Sequence, residues 1–147
     1  MKDRLVHFTK ILLDVFFVIG IPITAAVPYL VTAVARLYFP TAAYWSVTLV
    51  MMASGVFALL ILWELRKMFR TVIAEDCFRR ENVVSLSRMG RYSFAIAGLY
   101  CIRIFTVPTP SAFVIIIVFV IAGLFSKVLS RVFDQAVTYK IENDLTI

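Results

Sequence analysis

A chain of 147 residues that is 62% hydrophobic and 16% charged, with mean hydropathy +0.94 and thirteen Phe, has too little volume to hide its apolar surface from water. That composition excludes a soluble globular domain and calls for lipid as solvent. The net charge of +6 would suit nucleic acid, but the cations flank apolar runs and do not line one face, so anionic lipid head groups account for them more simply.

By length the chain is one domain, residues 1–147. Lys2, Arg4 and Lys10 precede an apolar run too long for a signal-peptide core, so the first span is expected over about 11–35 and is read as retained. Pro22 and Pro28 predict a bend within it, because each removes a backbone donor. The outer turn near Arg36, Tyr38, Phe39 and Pro40 leads to Tyr44 and Trp45, an interfacial aromatic belt. The second span, about 42–63, carries no charge and closes on Trp63.

Residues 64–91 then form a basic elbow, a helical hairpin that holds seven of the fifteen basic residues. Charge of that density beside apolar spans marks the cytoplasmic side. The second helix is expected to continue past Arg66, Lys67 and Arg70, with a turn at Asp76-Cys77-Phe78. A new helix starts near Arg79, capped by Asp76, and continues into a short third span, about 92–107. Pro108 and Pro110 mark an outer turn before the fourth span, about 111–127, and a polar cytoplasmic tail covers 128–147.

Arg103 in the third span raises the question of three crossings or four. Four crossings leave only Arg36 outside, whereas three would also put Lys127, Arg131 and Lys140 there. The positive-inside bias therefore favours an all-α membrane four-helix bundle of two hairpins, with both termini cytoplasmic.

Asp14 and Arg103 are the ionisable side chains inside spans, which marks them as candidates for an ion path or a counter-ion. The plainer expectations are that Asp14 reaches the inner interface and that Arg103 snorkels outward; a direct pair between them is not expected. Ser54, Gly55, Ala95, Ala97, Gly98, Ala122 and Gly123 are small enough to let helices approach closely. Cys77 and Cys101 are expected to be free thiols, His7 has no ligand partner nearby, and no enzyme motif appears, so neither catalysis nor a cofactor or metal is expected.

Two stretches carry a resemblance. The segment from Cys77 to Gly90 is similar to a pattern of proline-Phe-Thr, an Asn, a Leu and a Gly before a span. The end, Glu142-Asn143-Asp144-Leu145-Thr146-Ile147 behind Phe133-Asp134-Gln135-Ala136, resembles the terminus of a bacterial membrane family named only as domain of unknown function 2975. Cys77 stands where that family has proline, and Arg79 where it has a threonine cap. The resemblance implies a protein of the bacterial inner membrane that anchors or senses for a small cytoplasmic helix-turn-helix regulator. The implied contact surface comprises Arg66, Lys67, Arg70, Phe78, Arg79, Arg80, Glu81, Asn82, Glu142, Asn143, Asp144 and Leu145, with no direct nucleic-acid contact. The alternative for the tail is that Leu145 and Ile147 tuck against the protein's own elbow. Other readings are an immunity protein against a membrane-active peptide, or a small oligomeric ion or proton pathway through Asp14.

Overall fold

The computed structural model describes residues 2–38 and 41–145, with side chains described from residue 4 apart from 35 and 41–43. It is built from four helices: α1 (Lys2–Tyr38), α2 (Thr41–Ile73), α3 (Arg80–Thr106) and α4 (Pro110–Leu145). Helix α1 runs through both Pro22 and Pro28 without interruption, and the Pro28 carbonyl accepts from Thr32 Oγ1 at 2.5 Å and Tyr44 OH at 3.4 Å. Pro110 opens α4, where a missing N–H costs nothing. The carboxyl segment is not a separate tail, because α4 remains helical through Leu145. Phe39, Pro40, Thr146 and Ile147 lie outside the described residues.

Helices α1, α2 and α4 are each long and apolar enough to cross a membrane. Helix α3 falls short of that apolarity by its own composition, although its length fits the expected continuous helix through Gly90. Its first half is polar, and the fifteen residues from Tyr92 to Thr106 rise only about 22 Å.

Among the described residues each helix packs only on its neighbours in sequence: α1 on α2, α2 on α3, and α3 on α4. The expected four-helix bundle is, among the described residues, an open row. The reason lies in α1 and α4, whose outward residues are themselves apolar, among them Phe8, Ile19, Ile117 and Phe125. Lipid is as apolar as those side chains and provides no force to enclose them. Helix α3, between α2 and α4, buries Asn82, Ser85 and Ser93, while its charged Arg80, Glu81, Arg88 and Arg91 stay exposed.

The up-and-down order brings the start of α1 and the end of α4 to the α2–α3 elbow. Val6 and His7 border a cavity with Val72, Ile73 and Glu75, and Lys140 reaches Asp76. At the far end Val27, Val31, Val47 and Val107 form one apolar cluster; nearer the middle, Val50, Ile96, Tyr100 and Ala112 form another.

The small residues divide by role. A Cβ added at Gly55 would lie 2.8 Å from Thr24 Cγ2, and one at Gly123 would lie 2.8 Å from the Phe94 ring, so both sit at close helix crossings. Gly98 faces open space, against the expectation for it.

Helix α2 ends at Ile73, and residues 74–79 make the connection that contains the expected Asp76-Cys77-Phe78 corner. Glu75 N–H bonds Val72 O at 3.1 Å and Asp76 N–H bonds Thr71 O at 2.9 Å, the paired bonds of a Schellman ending. Glu75 holds its left-handed position at φ 58° without the glycine that usually serves there.

Candidate functional site

The elbow is locked from within by Asn82. Its Nδ2 donates to Thr71 Oγ1 at 2.7 Å and to Cys77 O at 2.5 Å, and the residue is 2% exposed. Asn82 thus departs from the expected contact surface: it ties the end of α2 to the start of α3. Asp76 also departs from its expected role, since the N-cap of α3 is Arg79 and no side chain caps it. The Asp76 carboxylate instead accepts from Lys140 Nζ at 2.9 Å and Arg79 Nε at 2.7 Å, which joins the elbow to α4. The Lys140 hydrogen bond, then the Arg79 one, holds the Asp76 carboxyl below its ordinary range, and the same contacts raise both cations. Phe78 packs on Phe133 at 5.4 Å between ring centroids, and Arg80 pairs with Asp134.

Around these ties α3 and α4 border an open cavity of about 420 Å³. Phe78, Val137 and Ile141 give it apolar walls, and Arg79, Lys140 and Asp144 give it charge. The last turn of α4 leaves Glu142, Asn143, Asp144 and Leu145 at the surface, Leu145 with 81% of its area accessible. Leu145 therefore does not tuck against the elbow, contrary to the alternative for the tail. Arg70 and Glu81 are exposed as well.

Asp14 does not stand alone. Its Oδ1 accepts from Arg66 Nε at 2.5 Å, and Arg66 also lies 4.8 Å over the Phe17 ring and 5.6 Å from Trp63. This removes Arg66 from the free contact surface and makes it a bond between α1 and α2. Arg103 lies in the last turn of α3, far from Asp14, with its guanidinium 5.5 Å from the Tyr100 ring and its Nε buried without a hydrogen bond.

One residue escapes sequence reasoning. Glu64 is 4% exposed, with Lys67 Nζ at 3.3 Å and Arg88 Nη1 at 3.5 Å, and its Oε2 makes no hydrogen bond. Its position at the edge of a charge-free span looks like an ordinary boundary; nothing local signals that α3 will cover it. Cys77 and Cys101 are free thiols, and no group of metal-ligating side chains occurs among the described residues.

The family model described as protein of unknown function (DUF2975) matches residues 15–147, which includes the elbow, all of α2–α4 and the Glu142–Ile147 terminus. The chain belongs to the DUF2975 family. Asp14 lies one residue before the matched region, and its partner Arg66 lies inside it. No curated protein and no solved structure matches this DUF2975 chain.

Proposed function

We propose that this DUF2975 protein crosses the bacterial cytoplasmic membrane four times, with both termini and the elbow in the cytoplasm, and serves there as an anchor or sensor for a helix-turn-helix regulator. The regulator is what the family resemblance implies. The observation that carries the reading is the open cavity between α3 and α4, where apolar walls and mixed charge stand beside the exposed Leu145. An amphipathic helix of a partner fits such a surface through apolar anchors, while rim charges set orientation. The role is non-enzymatic. The Asp14–Arg66 pair lends no support to an ion path, because a carboxylate already bonded to a guanidinium has little attraction left for a passing cation.

The test is capture of a helix-turn-helix regulator encoded beside the gene, using full-length protein in detergent. Phe78→Ser and removal of Glu142–Ile147 are each expected to weaken capture at least tenfold, about the effect of losing one interface anchor. Equal capture by all three proteins overturns the reading.

A further inference from the structure

A second cavity, of about 340 Å³, opens between α2 and α3 on the side bearing Lys67, Thr71, Arg80, Glu81, Ser85 and Arg88. Three cations from two helices thus converge with two hydroxyl-bearing side chains and one carboxylate. Their existing partners do not take up all of their donors. Lys67 and Arg88 share the single carboxylate of Glu64 at 3.3 and 3.5 Å, with no hydrogen bond to its Oε2. Arg80 pairs with Asp134, but both side chains are more than half exposed, and exposed pairs exchange readily. The guanidinium and ammonium donors therefore retain capacity for another oxyanion.

Depth identifies which oxyanion they meet. With Trp63 at the interface, as its place at the end of the charge-free run implies, Lys67 lies one helical turn beyond it, about 6 Å along the axis. That is about the thickness of the head-group layer on one side of a bilayer. A basic pocket between membrane helices at this level matches the phosphate of an anionic lipid.

We propose that Lys67, Arg80 and Arg88 form a binding site for a phosphate group at the α2–α3 cavity, supplied by an anionic phospholipid of the adjoining leaflet. Arg80 and Arg88 contribute forked donors suited to two oxygens of one phosphate, Lys67 contributes a point charge, and Glu64 competes for Lys67 and Arg88 from beneath. The site adjoins the α3–α4 cavity proposed for a regulator and shares Arg80 and Glu81 with it, but lipid binding is measured without that partner. It depends on Trp63 lying at the membrane interface.

The experiment measures binding of phosphatidylglycerol to the full chain in nanodiscs, against a phosphatidylcholine background and against inorganic phosphate. Phosphatidylglycerol is expected to bind preferentially, and Lys67→Gln or Arg80→Gln to weaken it about fivefold each. Arg131→Gln, an exposed cation on α4, is expected to leave binding unchanged. Glu64→Gln is expected to tighten it, the opposite sign, which a merely destabilising substitution would not produce. An equal response to inorganic phosphate supports the phosphate site but assigns it to a soluble phosphate compound. Equal binding of both lipids, or no change in Lys67→Gln and Arg80→Gln, overturns the proposal.

Discussion

Arg66 donates to Asp14 across 52 positions of sequence, with Nε 2.5 Å from Oδ1, while its guanidinium plane covers Phe17 and Trp63. One side chain thus fastens α1 to α2 by two contacts of different kinds, the ion pair with Asp14 and the cation–π contact with Phe17, while Trp63 of its own helix flanks it. The two losses are separable: Asp14→Asn removes only the ion pair, and Arg66→Ala removes the stacking too. Because the pair is 20% and 39% exposed, Asp14→Asn is expected to cost about 1 kcal/mol, and Arg66→Ala about 2 kcal/mol. Thermal unfolding in detergent checks this, and equal costs would show that the rings contribute nothing.

Glu75 gives a substitution of opposite sign. A non-glycine side chain at φ 58° is strained, so Glu75→Gly is expected to stabilise the elbow by about 0.5–1 kcal/mol, whereas Glu75→Val should cost more than 1 kcal/mol. Unfolding midpoints of the two variants should fall on either side of the parent.

Two glycines should behave differently although both lie mid-helix. Gly98→Ala meets nothing and gains helix propensity, an expected gain of up to about 1 kcal/mol. Gly55→Ala drives a methyl against Thr24, whose β-branched side chain has little freedom to turn, and is expected to cost about 1–3 kcal/mol by parting α1 from α2.

The Asp76 tether predicts a pH response at each extreme. Its carboxyl pKa is lowered in the folded protein, so its contribution is complete above the ordinary value near 3.9 and fades as pH falls through the lower folded value. Lys140 is raised, so its share is complete below about 10.4 and is lost as pH rises through the higher folded value. Spin labels at Glu75 and Ile141 should report constant separation between those limits and widening outside them. Asp76→Asn should abolish the acid limb.

The crossing count is open to thiol chemistry. With four crossings, Cys77 lies in water on the elbow side and Cys101 faces lipid, exposed on α3. A membrane-impermeant maleimide is expected to label Cys77 only after the cytoplasmic face is opened, and to spare Cys101. Rapid labelling of Cys101 by the same reagent would place α3 outside the bilayer.

Much of the fold is legible in the residues because lipid immersion imposes simple rules. The absence of breakers from Arg66 to Ala74 foretells an α2 that outlasts its apolar run, which it does as far as Ile73, and Pro108 and Pro110 foretell the far turn. Side-chain pairing is not legible, since it depends on which helix lies alongside. Asn82, Glu64 and Asp14 are all polar residues beside apolar runs, yet one locks a turn, one lies buried beneath two cations, and one binds a distant arginine. Nor does periodicity reveal the open row, because helices that are apolar all round carry no stripe to say which side will be covered.

That serial arrangement bears on how the chain assembles during synthesis. Every described inter-helix contact joins consecutive helices, so each segment leaving the translocon finds its docking face already waiting in the bilayer. Insertion can advance stepwise from the amino end with no early segment held idle for a late partner; the Asn82 lock needs only α2 and α3, and the Lys140–Asp76 tie forms once the last turns of α4 emerge from the ribosome.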